Sequence, residues 1–253
     1  MSKPIVLMYH GFGERRPEAD PHNLFVPRAD LERQLRYVRR HRHPLDLDAY
    51  LRGLRVGRWP RRSALVTMDD GYVSTLEVAG PLLRELGIPA VAFVCPGRLG
   101  GSSAWMDEMP GEALLDAEGI RALAGFGIEV GAHGLDHTLL PGLRPDDLEA
   151  QVRGSADAVA EITGSRPRAF AYPEGSFDAP ALRAVERAGY EVGFSVERDE
   201  GPFAVARAGI TSRDSMLSFR AKLLRGFRAL DRMAGPGTRV RRAGARLLGH
   251  GRS

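Results

Sequence analysis

Short apolar runs recur along the whole chain, and amphipathic stretches separate most of them. This alternation is typical of βα units, in which buried strands lie parallel and helices cover the sheet. It predicts about seven strands, at Ile5–Tyr9, Ala64–Met68, Ala90–Cys95, Ile128–Ala132, Ala169–Tyr172, Val192–Val196 and Phe203–Ile210. It predicts helices at Asp30–Arg40, with Asp30 as N-cap, and at Ser74–Leu86, Asp146–Ile162 and Ala179–Ala188. A chain of 253 residues can hold one large α/β barrel or two small domains.

The charge of the chain divides it into two parts. Residues 214–253 hold ten Lys and Arg against two Asp and Glu, a net charge of +8. Residues 1–213 hold the other 26 basic and 30 acidic side chains, a net charge of −4. We therefore expect a domain at 1–213 and a basic C-terminal extension at 214–253. The overall positive charge gives no reason to expect a nucleic acid as partner.

The extension begins with an amphipathic pattern. Its apolar side chains recur at helical spacing, at Met216, Phe219, Leu223, Phe227 and Leu230. Basic side chains lie on the opposite face, at Arg225, Arg228 and Arg232. Two interpretations stay open: a terminal helix packed on the domain with solvated charges, or a basic helix that lies on an anionic membrane surface.

The cellular compartment is predicted from two features of the sequence. The apolar stretch near the N-terminus is too short for the core of a signal peptide. Cys95 is the only cysteine, so no disulfide can form within the chain, which fits a reducing compartment. We expect a cytoplasmic protein, with peripheral membrane contact if the tail binds lipid. The sequence predicts no oligomeric state.

Polar side chains follow four of the predicted strands. The carboxyl ends of parallel strands meet at one rim, where ligand sites of such folds lie. These side chains are therefore expected to converge: His10, Asp69, Asp70, His133, His137 and Tyr172.

Two imidazoles and a carboxylate are a common ligand set for a divalent metal ion. His133 and His137 are four residues apart, so a helical turn or a compact loop places both rings on one side. Asp69 and Asp70 are adjacent and their side chains diverge, so that one can bind metal while the other faces a water molecule. Zn²⁺ is the expected ion, with Co²⁺ or Ni²⁺ as alternatives. Taken singly, each motif also fits a turn or surface histidines.

Three motifs resemble those of the polysaccharide deacetylase family, carbohydrate esterase family 4, which carries the NodB-like homology domain. The first appears as Thr67-Met68-Asp69-Asp70-Gly71 and the second as His133-Gly134-Leu135-Asp136-His137-Thr138. The third appears as Phe170-Ala171-Tyr172-Pro173-Glu174-Gly175, which is closest to the Phe-Ala-Tyr-Pro branch. The resemblance covers about residues 4–213. It implies a single irregular (β/α)7-type barrel followed by the basic helical tail.

The resemblance also implies roles for residues. Asp69 would be the catalytic base, and Asp70, His133 and His137 would hold the metal. The backbone N–H of Tyr172 would stabilise the oxyanion of the tetrahedral intermediate.

The chain departs from the family pattern at several positions. Ala171 stands where many members carry an arginine that pairs with the catalytic aspartate, and Arg207 is a candidate replacement. The late histidine that supplies the general acid is missing, because no histidine occurs between His137 and His250. Among the histidines not assigned to the metal, only His10 follows a strand on the same rim, in a setting that resembles the biofilm-exopolysaccharide deacetylase branch. We therefore predict that His10 is the general acid.

The expected function is metal-dependent removal of N-acetyl groups from an amino-sugar glycan or glycan precursor. Two alternatives stay open. One is an amidohydrolase acting on a small non-sugar amide; the shape of the loop at 96–111 would discriminate, since an open groove fits a glycan and a closed pocket fits a small molecule. The other is an inactive carbohydrate-binding barrel, favoured by Ala171 and the missing late histidine.

Overall fold

The computed structural model describes residues 3–105 and 111–224. Its strands are β1 (Ile5–Tyr9), β2 (Gly11–Phe12), β3 (Phe25–Val26), β4 (His43–Pro44), β5 (Ser63–Met68), β6 (Ala90–Val94), β7 (Ile128–Ala132), β8 (Ala169–Ala171), β9 (Val192–Phe194) and β10 (Ala208–Gly209). Its helices are α1 (Arg28–His41), α2 (Leu47–Val56), α3 (Gly80–Leu86), α4 (Ala117–Ala122), α5 (Pro145–Glu149), α6 (Ser155–Thr163), α7 (Ala179–Arg187) and α8 (Met216–Lys222).

Seven parallel strands form one curled sheet in the order β10-β1-β5-β6-β7-β8-β9. The short strand β4 pairs beside the start of β5, and β2 pairs only with β3. The segment 205–209 joins the two edges: Val205 pairs with Phe194 of β9, and Ala208 pairs with Leu7 of β1. The predicted irregular (β/α)7-type barrel is confirmed, and each predicted strand of the ring is present within a few residues.

The alternation of side chains along β5 decides what faces the barrel interior. Val66 and Met68 belong to the cluster that packs under the helices, whereas Leu65 belongs to the inner cluster with Phe93 and Phe194. Since side chains two residues apart share a face of a strand, the inner row continues through Thr67 to Asp69. The strand therefore carries its first carboxylate into the interior at the rim.

The helices differ from their predictions in detail. The prediction of Asp30 as N-cap was wrong: α1 begins two residues earlier, at Arg28, and its N-cap is Pro27 without a side-chain cap. The helix predicted at Ser74–Leu86 begins with a π-helical turn, Thr75–Ala79, which leads into α3. The helix predicted at Asp146–Ile162 is divided into α5 and α6 by a second π-helical turn, Ala150–Gly154. Helix α2 was not predicted, although Asp46 caps it and Gly57 ends it in a left-handed conformation.

The first turns of the C-terminal extension pack on the barrel. Phe219 and Leu223 of this segment are fully buried, and the ring of Phe219 meets that of Tyr37 in α1 edge-on at 6.2 Å. Leu217 and Leu224 are exposed, at 80% and 64%. The predicted apolar and basic positions from 225 onward lie outside the described residues. Within the described ranges, no helix has the length and apolar character needed to span a membrane.

Candidate metal centre

The three predicted metal ligands lie together at the carboxyl-terminal rim of the sheet. Asp70 follows β5, and both His133 and His137 follow β7. One ligand atom from each lies within 4.8 Å of the other two. The Nε2 atoms of His133 and His137 are 3.4 and 3.5 Å from Oδ1 of Asp70. The two histidines come from a compact loop rather than a helix, with left-handed backbone at Gly134 and His137.

The donor atoms suit a divalent cation. Oδ1 of Asp70 is buried and accepts no hydrogen bond from the described residues. A buried carboxylate oxygen without a partner is costly unless a cation binds it. Burial raises the pKa of Asp70, but the imidazoles of His133 and His137 outweigh it and hold that pKa well below its usual range. Two nitrogens and an ionised oxygen are thus gathered at one point, which fits Zn²⁺ or a similar ion.

Each histidine ligand is fixed by its surroundings. Nδ1 of His133 lies 2.7 Å from the carbonyl oxygen of Ala171, a contact that directs Nε2 toward Asp70. The ring of His137 stacks on the indole of Trp105, with ring centroids 4.4 Å apart and planes 12° from parallel. The indole Nε1 of Trp105 is buried without a hydrogen bond among the described residues.

Asp69, the neighbour of Asp70 in the sequence, is outside this cluster of ligands and is held by Arg207. The guanidinium donates from Nη1 to Oδ1 and from Nη2 to Oδ2, both at 2.7 Å. The arginine side chain is fully buried and also donates from Nε to the carbonyl oxygen of Ser195, at 3.1 Å. Burial raises the pKa of Asp69, but Arg207 and, to a lesser extent, His133 outweigh it, so the net shift is downward. Arg207 therefore fills the place left by Ala171, from the segment that joins the two edges of the sheet.

His10 directly follows β1 and is only partly buried as a residue, yet its Nδ1 atom is buried without a hydrogen bond among the described residues. Burial lowers the pKa of His10, while the charges of Asp70 and Asp69 act in the opposite direction. The ring is close enough to both carboxylates to interact with them electrostatically, and it is not part of the three-ligand cluster.

The predicted role of the Tyr172 backbone was wrong. Its N–H donates to the carbonyl oxygen of Phe194 at 3.0 Å as part of the β8–β9 pairing, so it cannot also point at a substrate oxyanion. Its hydroxyl donates to the carbonyl oxygen of Phe203 at 2.9 Å, and the residue is fully buried. Burial raises the pKa of Tyr172 above its ordinary value. Tyr172 is a core residue beneath the site.

Two residues of this region were missed by the sequence analysis. Trp105 lies in the loop at 96–111 and was given no role of its own; residues 106–110 of that loop lie outside the described ranges. Gln151 was assigned to a helix, although its side chain contacts the loop that carries His137. A buried position for a long amide side chain is the signal that would have identified it, and burial is not visible in a single sequence.

Comparison with known proteins supports the family resemblance. The sequence profile described as polysaccharide deacetylase matches residues 57–193, more than half of the chain. YxkH of Bacillus subtilis (strain 168), which carries the name of a polysaccharide deacetylase, is 24% identical over 227 residues, covering 87% of this chain and 76% of that protein.

A second relative is the poly-beta-1,6-N-acetyl-D-glucosamine N-deacetylase of Staphylococcus aureus (strain MSSA476). It is 25% identical over 186 residues, which are 69% of this chain and 62% of that protein, so the match spans less than two thirds of the relative's length. Among solved structures, the Streptococcus pyogenes deacetylase PplD in complex with acetate is similar with a TM-score of 0.78 and 22% identity. That match covers 88% of this chain and 99% of PplD, and it supports the fold.

Proposed function

The chain belongs to the polysaccharide deacetylase family, and on that premise we propose that it hydrolyses the N-acetyl amide of an amino-sugar glycan or glycan precursor. The S. aureus relative is named for this reaction on poly-N-acetylglucosamine. A metal-dependent hydrolase is the activity that the site supports best.

The observation that carries the proposal is that His133 and His137 converge on a buried oxygen of Asp70, which accepts no hydrogen bond from the described residues. When bound there, a divalent ion would supply Lewis-acid polarisation of the amide carbonyl and lower the pKa of adjacent water. Zn²⁺ is the proposed ion, and Co²⁺ or Ni²⁺ would suit the same nitrogen and oxygen donors.

We propose that Asp69 accepts the proton of the attacking water. Arg207 holds the carboxylate in one orientation and keeps it ionised, which a base requires. The water oxygen then forms a bond to the carbonyl carbon, and the C–N bond of the amide breaks. The proton taken from the water balances the proton that the leaving nitrogen must receive.

His10 is the proposed donor of that proton. Its lowered pKa means that the ring is mainly neutral at pH 7 before the reaction. It must therefore collect the proton that Asp69 takes from the water before it delivers it to nitrogen. We expect His10→Ala to lower kcat strongly for an amide and much less for an activated ester, whose leaving group departs without a proton. Equal losses on the two substrates would contradict this role.

The oxyanion donor needs a different assignment from Tyr172. We propose the backbone N–H of Glu174, two residues along the same turn. Glu174 has a left-handed backbone, with φ 53° and ψ 17°, and its N–H forms no hydrogen bond to the described residues. Strained backbone of this kind is concentrated at functional sites.

The test of the function is acetate release from a panel of N-acetylated sugars, small non-sugar amides and O-acetylated sugars, with and without a chelator. Chelator-sensitive release from N-acetylated sugars is expected. Release only from the small amides would favour the amidohydrolase alternative. No release from any substrate by metal-loaded protein would favour the inactive binding barrel.

We also propose that the protein is cytoplasmic and that its tail contacts anionic membrane. The observations in favour are the +8 charge of residues 214–253 and the exposed Leu217 and Leu224. Because Phe219 and Leu223 are buried, a truncation should retain them and end at residue 224. Co-sedimentation with anionic vesicles should be lost in that truncation, and equal binding would favour a purely packed helix.

A further inference from the structure

The loop 133–138, which carries both histidine ligands, has an unusual backbone. Gly134 has φ +74° and His137 has φ +73°. For a residue with a side chain, such a left-handed conformation is strained and persists only where the surroundings impose it. The conformation of His137 therefore needs support from residues outside the loop.

That support comes from Gln151, which lies in the π-helical turn Ala150–Gly154. Its side-chain Oε1 accepts the N–H of Leu135 at 2.9 Å, and its Nε2 donates to Oδ1 of Asp136 at 2.8 Å. The residue is 8% exposed. Isolated π-helical turns occur frequently at functional sites, and here the turn lies where one amide can bind two neighbouring residues of the loop.

Asp136 connects Gln151 to the residue that follows His137. Its Oδ1 also accepts the backbone N–H of Thr138 at 3.1 Å and the hydroxyl of Thr138 at 2.6 Å. The carboxylate therefore binds the residue after His137, while Gln151 binds the residues before it.

The glycine at position 134 makes room for this contact. A Cβ atom added to Gly134 would lie 3.2 Å from Oε1 of Gln151, which is tight, and the left-handed backbone would disfavour a side chain as well. The absence of a side chain at Gly134 thus leaves space for the amide of Gln151.

We propose that Gln151 is a positioning residue for the metal ligand His137: its side-chain amide fixes the loop 134–138 so that the ring of His137 points at Asp70. This positioning role rests on the proposed metal centre. The amide suits this task because it accepts from Leu135 and donates to Asp136 at the same time.

The first test measures zinc affinity by competition with a chromophoric chelator. Gln151→Leu should weaken zinc binding about tenfold or more, since outer partners of metal ligands contribute about 10–100-fold to affinity. The matched control is Gln34→Leu, because Gln34 is the only other glutamine of the chain, is also buried and accepts a hydrogen bond from the hydroxyl of Tyr9. The control should stay within about twofold of the wild type. An unchanged affinity for Gln151→Leu, or an equal loss in both variants, would overturn the proposal.

The second test is a double-mutant cycle and does not depend on the stability of Gln151→Leu. Gln151→Glu places a carboxylate against that of Asp136 and should weaken zinc binding. In an Asp136→Asn background this repulsion is absent, so the same substitution should cost less zinc affinity than it does in the wild type. The visible spectrum of bound Co²⁺ should follow the same order, because it reports the geometry of the ligands. An equal loss from Gln151→Glu in both backgrounds would refute the positioning role.

A single control separates this inference from the proposed function. If neither the wild-type protein nor His137→Ala binds zinc, the metal centre itself is wrong and the positioning role falls with it. If the wild type binds zinc and loses it in His137→Ala, the metal centre stands, and the Gln151 variants alone decide the role of Gln151.

Discussion

The site has two sides that are built in opposite ways. One, here called the Asp69 side, consists of Thr67, Asp69, Ser195 and Arg207. The other, here called the Asp70 side, consists of Asp70, Trp105, His133 and His137. On the Asp69 side, both carboxylate oxygens accept hydrogen bonds from the guanidinium, and the guanidinium has further acceptors in Thr67 and Ser195. On the Asp70 side, a carboxylate oxygen and an indole N–H are buried without partners among the described residues.

Folding alone provides hydrogen-bond partners for the polar atoms of the Asp69 side, whereas polar atoms of the Asp70 side require a ligand. The Asp69 side satisfies its charges from within the chain, and its geometry does not depend on a bound ion. The Asp70 side leaves acceptor and donor atoms that only an ion, water or substrate can satisfy. The two sides share a dipeptide, yet they should respond independently to substitution, and the following predictions test that independence.

The largest effect is expected for Asp69→Asn. We expect turnover to fall by about 10²–10⁴-fold, the contribution of a general base, while the zinc content stays that of the wild type. Acetate release and elemental analysis of the same preparation measure the two. Loss of zinc in this variant would show that the two aspartates share the ligand role.

The next effect concerns stability. Arg207→Leu leaves the buried Asp69 carboxylate without its partner, so the free energy of unfolding should fall by about 3–5 kcal/mol. Urea denaturation of the metal-free protein measures this. Arg198→Leu is the matched control. Arg207 lies over the ring of Phe93, and Arg198 likewise lies over a phenylalanine ring. Arg198 also pairs with a carboxylate, but at an exposed site where such pairs contribute about 0–1 kcal/mol.

The effect of Arg207→Leu on the free energy of unfolding should depend on pH. The pKa of Asp69 is lowered in the folded chain, so its contribution is complete above the unfolded-state pKa and is lost as the pH falls through the lower folded-state value. The stability difference between wild type and Arg207→Leu should therefore shrink below about pH 4. A difference that is constant down to acid unfolding would contradict the ion pair as its cause.

A smaller effect is expected from metal removal on the Asp70 side. At a free zinc concentration of 100 times Kd, bound zinc should stabilise the fold by about 2.7 kcal/mol. Thermal unfolding with and without chelator measures this shift in Tm. His133→Ala should abolish the shift and leave the metal-free protein folded, whereas a shift of equal size in both proteins would remove His133 from the ligand set.

The smallest effect is expected for Trp105. Its stack on His137 should contribute about 0.5–1.5 kcal/mol, so Trp105→Ala should weaken zinc binding several-fold. The chain has only one other tryptophan, Trp59, whose indole donates to the carbonyl oxygen of Tyr50 within the inner core cluster. Trp59→Phe should leave zinc affinity unchanged. Zinc-dependent fluorescence that persists in Trp59→Phe and disappears in Trp105→Ala would confirm the contact.

Much of the fold could be predicted because buried strands of a parallel sheet have a strong sequence pattern. The same pattern located the strand ends and therefore the residues of the rim. Asp70, His133 and His137 were predicted as a cluster for this reason, and the structure brings them together.

The rest depends on tertiary contacts that periodicity does not encode. Arg207 could only be suggested as the partner of Asp69, since their pairing depends on the register of the segment that joins the sheet edges. The Tyr172 prediction failed because its N–H is used by the β8–β9 pairing. Gln151 was missed because a π-helical turn changes which face a side chain takes, and spacing in the sequence gives no sign of it.

The segment 205–209, which joins the two edges of the sheet, affects how the chain folds during synthesis. It pairs Ala208 with Leu7, two residues separated by almost the whole domain, and it brings Arg207 to Asp69. Contacts so distant in sequence form late and slowly. During synthesis, the first six strands of the ring therefore leave the ribosome before Arg207 is available to pair with Asp69. Closure of the barrel and the pairing of Asp69 depend on the same segment, so a chain stalled before residue 207 is expected to be open and to lack the arginine partner of Asp69.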